Sequence, residues 1–418
     1  MLTTFYPPHN FGGDGIGIQR LSRGLVKLGH HVTVVHDIDA YALLSDGALP
    51  DVPDHDDDEG VEVMRLRSGM PMASSLLTQQ LGRPVVNGRR IRAIIERGRF
   101  DVVNFHNLSL IGGPGLLSYG NGAVTLLMAH EHWLVCPMHV LWRHGRELCT
   151  GRECISCSIS YRRPPQLWRY SDFLARKIEH VDAVIAMSEF SRDKHREFGF
   201  TREMEVLSYF LPDPDTTELP VASGPSPNER PYFFFAGRLE PIKGLDDVIP
   251  AFRDYPHADL LIAGDGTHAA HLRQLAAGMS NVRFLGRIAP EALRGFYQHA
   301  IALVVPSECF ETFGIVLIES FRQGTPVIAR RLGPFPEIIA QSGGGELFST
   351  RDDLLAAMRR LQDRPAHRAT LSASGYRAYV ERWSERVVVP KYLDIVRRAA
   401  ARRGHERVLD ALAAQEIA

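Results

Sequence analysis

The chain is short of cysteine, of charge imbalance and of long apolar runs. It has five cysteines in 418 residues, too few for a disulfide-dense secreted scaffold. Lys and Arg total 48 against 49 Asp and Glu, a formal net charge of −1. Such a chain has no global field to gather nucleic acid, and no nucleic-acid partner is expected. No run of about 18 apolar residues occurs, so no segment is expected to cross a membrane. Strand-like sequence begins at Leu2 without the basic and apolar segments of a secretory leader ahead of it. A cytoplasmic protein is expected.

What the chain does have is ordinary globular material, 44% hydrophobic and 23% charged, and enough length for two domains. Its apolar runs are short, rich in β-branched and aromatic residues, and mostly not alternating. LTTFY, HVTVVHD, VEVMRL, DVVNFHN, AVTLLMAH, AVIAMS and MEVLSYF come first; YFFFAGR, DLLIAG, NVRFLG, IALVVPS and PVIAR follow. Strands of parallel sheets buried on both faces read this way. Amphipathic stretches between them, such as Ile18–Leu28 and Leu245–Phe252, complete an α/β pattern of doubly wound sheets. The Pro- and Gly-rich sequence from Leu211 to Pro231 reads as a linker. The expected organisation is a Rossmann-like domain over 1–215, a linker over 216–230 and a second Rossmann-like domain over 231–378, with parallel sheets facing across a cleft. The sequence after PVIAR reads as helices. The last, about 380–402, is expected to pack back onto the first domain and to kink or break at Pro390. The acidic run Asp51–Gly60 reads as a solvated loop.

In SECFETFGIVLIESFRQG, IALVVPS should end a strand and Gly314 should open a helix. The amides of Gly314 and Ile315 then stand at a helix N-terminus, an anion seat. Glu311 lies just before that helix and Glu319 inside it. Carboxylates repel phosphate, so they suit sugar hydroxyls on either side of it. In AGRLEPIKGLD, Arg238 and Lys243 follow a strand, and two cations there can neutralise a diphosphate. Gly264 ends LIAG, and Arg287 and Ile288 follow FLG, where bare backbone can meet a base or ribose.

GRLEPIKG, AGDG, FLGRI and PSECFETFGIVLIES, in this order and spacing, resemble the retaining glycosyltransferases of family 4 (group 1), whose fold is GT-B. The resemblance runs over nearly the whole chain. It implies transfer of a sugar from a nucleoside-diphosphate sugar, most commonly a UDP-sugar, to an acceptor hydroxyl in glycan or glycoconjugate biosynthesis. The acceptor is a glycan, a lipid-linked glycan or a small molecule. Arg238 and Lys243 are implied to bind the diphosphate, Glu319 the ribose hydroxyls and Glu311 the transferred sugar. Gly314 and Ile315 cap the distal phosphate, and the backbone at Arg287 and Ile288 meets the base. No Asp-x-Asp pair stands in the loops expected to line the donor site, so no cofactor is expected for catalysis. An epimerase-like enzyme of the same build and a non-catalytic nucleotide-sugar-binding protein are the alternatives.

In the first half, Gly12 and Gly13 of FGGDG follow a strand and precede a helix, where backbone can approach donor phosphate or acceptor. Asp14 is either an acceptor contact or a helix cap. His106 and His130 end strands and point to a cleft. The resemblance makes His130 the active-site histidine, with Glu131 where the family more often has aspartate. Cys136, Cys149, Cys154 and Cys157 are spaced C-x12-C-x4-C-x2-C. They are expected to hold a structural zinc, with His139 and His144 as alternative ligands, an iron–sulfur cluster or unlinked thiols as other readings, and Cys309 in the core. Gly82–Phe100 sets arginines around an apolar stripe, so peripheral contact at the inner membrane face is a further expectation.

Overall fold

The apolar runs become the strands of two parallel sheets in a computed structural model that describes residues 1–45, 49–120, 122–214, 216, 218–222 and 224–417. The chain divides into two units, Met1–Tyr209 with Val388–Ala418, and Phe210–Val387. In the first unit the strands are β1 (Leu2–Thr3), β2 (Val32–Asp37), β3 (His55–Asp58), β4 (Val61–Leu66), β5 (Val102–Phe105) and β6 (Val124–Ala129). A separate hairpin follows, β7 (Trp142–Arg143) and β8 (Glu147–Leu148), then β9 (Ala183–Ala186) and β10 (Met204–Val206). The large sheet runs β10-β9-β6-β5-β1-β2-β4-β3. Only β3 is antiparallel. All six residues of β6 are buried, as a central strand covered on both faces requires.

The second unit holds β11 (Tyr232–Ala236), β12 (Asp259–Ala263), β13 (Val282–Gly286), β14 (Leu303–Val305), β15 (Val327–Arg330) and β16 (Gly345–Phe348). Their order is β13-β12-β11-β14-β15-β16, all parallel. The chain winds outward from β11 to one edge, returns at β14 and winds to the other. β11 and β14 are therefore the switch point, where ligands bind beyond the strand ends in open α/β sheets.

The division between units falls at Tyr209/Phe210, earlier than 215/216, because the following residues bond into the second unit. Leu211 N donates to Trp383 O at 2.9 Å, and Tyr376 Oη donates to Thr216 O at 2.6 Å. Asn228, at the end of the expected linker, bonds Asp259 at 2.9 Å. The acidic run is not all loop. His55–Asp58 is an edge strand, and Asp58 accepts from Tyr6 (2.8 Å) and Gln19 (2.9 Å) and pairs with Arg23. Charges on an edge strand discourage pairing with another chain. β16 lies where the sequence suggested helices alone; four residues next to a glycine pair carry too little pattern to signal a strand.

The helix Glu385–Arg403 runs through Pro390 instead of ending there. Proline at its sixth position removes one backbone bond, and the buried Val388, Val389, Tyr392, Ile395 and Val396 hold the rest. From Val388 onward this helix belongs to the first unit, where Asn104 donates to Tyr392 Oη at 3.1 Å. In the basic helix Gly88–Gly98, Ile91 and Ile95 are spent on the first unit's core while its arginines face solvent. No helix among the described residues is long and apolar enough to cross a membrane.

Asp182 ties the helix Glu385–Arg403, which a last helix Glu406–Ile417 follows, to the sheet. Its buried carboxylate accepts from Thr125 N at 2.8 Å and Thr125 Oγ1 at 3.0 Å and pairs with Arg403 at 2.6 Å. Asp182→Ala leaves the buried Thr125 amide without its acceptor and removes the Arg403 ion pair, while the Thr125 hydroxyl keeps His180 O at 2.7 Å, so the expected loss is about 2 kcal/mol. Urea unfolding should show a lower midpoint with an unchanged slope.

Candidate active site

Three loops of the second unit leave adjacent strand ends. After β11 the chain makes a short turn, Pro241–Lys243, closed by Gly244. After β14 it runs from Pro306 to Gly314 and enters the helix Ile315–Arg322. Glu308 N donates to Ile242 O at 2.8 Å, locking the two loops together. The loop after β12 joins from the other side, with Leu239 N to Asp265 O at 3.0 Å and His268 N to Leu239 O at 2.9 Å.

Lys243 and Glu311 meet across this junction, Nζ to Oε1, at 2.5 Å, and Ser307 Oγ also donates to Glu311 Oε1 at 3.1 Å. Their side chains are only 20% and 24% exposed. Burial pushes the Glu311 carboxyl up, but the Lys243 ammonium and the two hydrogen bonds outweigh it and hold the carboxyl below its usual range. Burial likewise opposes the Lys243 charge, and Glu311 outweighs it, so the ammonium is held more tightly than usual. Both groups stay charged at neutral pH. The ammonium has three donors, and Glu311 takes one of them.

The helix Ile315–Arg322 is fixed from behind. Leu317, Ile318 and Phe321 are buried, and Phe321 stacks on Trp383 with centroids 6.1 Å apart. Gly314 caps it at φ 99°, and a Cβ there would stand 2.6 Å from Phe335 Cε1. Only glycine fits that backbone, and among the described residues no side chain caps the helix N-terminus. Gly264, at φ 136°, lies so close to Gly237 that a Cβ would collide with its carbonyl oxygen. Arg238 is 54% exposed and turned toward Glu240 at 2.8 Å. Arg287, 86% exposed, stands 3.9 Å from Asp265. Ile288 is half-buried beside it, as is Glu319 on the helix. Glu319 lies close enough to Tyr297 for its charge to add to burial in raising the phenol's pKa.

In the first unit a separate polar cluster forms at the ends of β1, β5 and β6. Gly13 is the exposed first residue of the helix Gly13–Lys27, and Gly12, not Asp14, is its cap. Asp14 accepts from Asn107 Nδ2 at 3.2 Å. Burial and then the nearby Glu131 charge raise its pKa. His130 is buried with both ring nitrogens engaged, Nδ1 with Tyr209 Oη at 2.5 Å and Nε2 with His106 Nδ1 at 2.9 Å. Glu131 bonds His139 at 2.6 Å.

Comparison with known proteins agrees with this geometry. Residues 11–210 match the family described as Glycosyltransferase Family 4, and residues 218–378 match Glycosyl transferases group 1. The chain belongs to this glycosyltransferase family. Sucrose-phosphate synthase from Thermosynechococcus elongatus superposes with a TM-score of 0.70 at 19% identity, over 96% of this chain and 98% of that one. Anabaena HepE, solved with UDP, superposes at 0.64 with 15% identity, over 94% and 98%. The fold is therefore GT-B. In sequence, glycogen synthase of Mycobacterium tuberculosis is 26% identical over 385 residues, 88% of this chain and 86% of that protein. The lipopolysaccharide core glycosyltransferase LpsD of Rhizobium meliloti is 29% identical over 229 residues, 54% of this chain and 66% of that protein.

In this glycosyltransferase the second-unit residues named from sequence follow the ends of β11, β12, β13 and β14. Sequence reasoning missed Ser307, which shares Glu311, and Arg330, which props the loop through Pro306 O at 2.8 Å and Asp247 at 2.6 Å. It also missed Tyr209, hidden in a run that read as strand to its end. Asp246, His268 and His271 went unnoticed as well. Among the described residues they are the one group of three or more His, Cys, Asp or Glu donors lying within 4.8 Å of one another. His268 and His271 each bond the Asp246 carboxylate at 2.8 Å.

Burial lowers the His130 pKa to about 4, with Glu131 opposing, and drives His106 well below its usual value. Both rings are neutral in the fold at pH 7. The unfolded chain takes up their protons near pH 6.5, so stability is full above that pH and falls as pH drops toward 4. Between pH 7 and 5 His130 alone should cost about 2 kcal/mol. Thermal unfolding across that interval should show a shallower decline in His130→Gln than in the native chain.

Proposed function

We propose that this glycosyltransferase transfers a sugar from a nucleoside-diphosphate sugar, a UDP-sugar by preference, to an acceptor hydroxyl with retention of configuration. One observation carries the reading: Arg238, Lys243, Glu311 and the open N-terminus at Gly314 converge at the switch point of the second sheet. The diphosphate takes the free donors of Lys243, the Arg238 guanidinium swung from Glu240, and the amides of Gly314 and Ile315. Glu311, held ionised and oriented by Lys243 and Ser307, accepts from hydroxyls of the transferred sugar. Glu319 accepts from the ribose. The backbone at Gly264, Arg287 and Ile288 packs on the nucleoside. On the first unit, Gly13 and His130 are assigned to the sugar and acceptor.

The bond from C1 to the diphosphate oxygen breaks as the acceptor oxygen bonds C1 from the same face. The electron pair leaves with the diphosphate, which also takes the acceptor proton. Charge grows on the departing oxygens, where two cations and a helix end already stand. Preference for uridine is supported by HepE, a protein of this fold captured with UDP and with UDP and glucose, and by the family resemblance.

A panel of nucleoside diphosphates in a thermal-shift assay tests the donor. UDP should raise the melting temperature more than GDP, ADP or CDP; no response to any of them overturns the reading. Lys243→Ala should weaken UDP binding roughly 10- to 100-fold. Glu311→Gln should keep UDP affinity and lower donor consumption with acceptor about 100-fold. Equal donor loss with and without acceptor would favour an epimerase instead.

Contact with lipid is a further part of this reading. The helix Pro71–Leu81 leaves Met72, Leu76, Leu77 and Leu81 exposed, with Arg83, Arg89 and Arg90 exposed nearby in sequence. Apolar side chains flanked by arginines suit an anionic bilayer surface, and hence a lipid-linked acceptor. Sedimentation with phosphatidylglycerol vesicles at low salt, lost in Met72→Glu/Leu76→Glu, is the expected result.

A further inference from the structure

We propose that Cys136, Cys149, Cys154 and Cys157 form a structural zinc site that organises the segment between β6 and β9. The part of the segment that carries the thiols has little support beyond the buried Met138, Leu141 and Trp142. Its only strands are the two-residue β7 and β8, paired with each other and with neither large sheet. The helix Cys154–Ser160 leaves Ile155 and Ile159 46% and 60% exposed. The first unit's core cluster draws on Trp133, Leu134 and Val135 and then on nothing until Trp168. Units this small usually fold around a disulfide or a metal, and all five cysteines are free thiols.

The local backbone is shaped around sulfur. Backbone at Leu141 and Met138 hydrogen-bonds the Cys136 thiol, and His144 N donates to Cys157 Sγ at 3.3 Å. Cys149 follows the hairpin directly. Cys154 and Cys157 occupy the first turn of the next helix, so three separate turns deliver four thiols. Each of Cys136, Cys154 and Cys157 lies within electrostatic reach of Cys149. Four of the six non-glycine residues with positive φ among those described fall here: His139, Leu141, His144 and Arg162. Such conformations persist only where surroundings over-determine them.

A second observation points to a ligand that carries negative charge once formed. Arg169 stacks on Trp133 and Trp168, its charge is felt by Cys136 and Cys154, and one guanidinium nitrogen is buried without a hydrogen-bond partner. Zinc held by four thiolates has a net charge of −2, which a buried guanidinium offsets. The sulfurs stand further apart than in a closed tetrahedron. Zinc would draw them together by side-chain rotation, each thiol releasing its proton to solvent. Because each thiol must lose its proton to bind, affinity falls as pH falls.

Elemental analysis of untagged protein, dialysed after incubation with zinc sulfate, tests the site. One zinc per chain is expected in the native protein and in His268→Ala/His271→Ala, which removes the other donor trio. Loss of zinc is expected in Cys154→Ser/Cys157→Ser. If that variant does not fold, cobalt(II) added to the native chain decides the matter: intense thiolate-to-metal absorption supports the site. Weak bands without sulfur charge transfer overturn it. So do zinc retained by the cysteine variant and lost from the histidine variant, iron with sulfide in place of zinc, or no bound metal.

Discussion

The ion pair between Lys243 and Glu311 is the constraint from which the donor side follows. It joins the loops after β11 and β14, the two strands where the winding of the second sheet reverses. A free ammonium there would be drawn into whatever carboxylate it met, and a free carboxylate would repel any anion brought beside it. Pairing solves both problems, because each charge is held by the other in a fixed place before any ligand arrives. The desolvation cost of two half-buried charges is offset by a short bond, by Ser307 and by the neighbouring Arg238. The helix Ile315–Arg322 starts beside them, and the positive end of its dipole favours an anion there.

Much of this was legible in the sequence, for a physical reason. A pyrophosphate demands cations, bare backbone and a helix start, and each demand selects a residue type at a fixed offset from a strand. Arg238, Lys243, Gly314 and Glu311 could be named because those offsets are short. The props could not. Ser307 looks like any loop serine, and Arg330 reaches Pro306 and Asp247 only because β15 lies beside β14. Contacts set by neighbouring strands leave no trace in local spacing. For the same reason the sequence did not reveal that Asp246 stands between His268 and His271.

The first unit was read less completely. Parallel strands, the helix after the glycine loop and the histidines at strand ends were visible. Tyr209 was not, since it ends an apolar run and touches His130 only after the chain has passed through β9 and β10. The acidic run was misjudged because composition alone cannot show that Tyr6, Gln19 and Arg23 converge on Asp58. Pro390 was given too much weight. A proline removes one backbone bond, and the apolar face of a nineteen-residue helix outweighs that loss. In each case tertiary packing overrode a local rule.

The two units hold their polar groups in opposite states. At the second, opposite charges stand in contact and both remain ionised. At the first, burial without an adequate counter-charge drives His130 and His106 to the neutral form. Neutral rings exchange hydrogen bonds in a chain, Tyr209 to His130 to His106, whose direction depends on which nitrogens carry protons. A neutral His130 can donate or accept a hydrogen bond but carries no positive charge. Under the proposed reading, charge that develops on a departing diphosphate would be met by Arg238, Lys243 and the Gly314 amide, all on the second unit. That division follows from burial alone: the same imidazole, placed as openly as Arg238, would titrate near its ordinary pKa and blur the distinction.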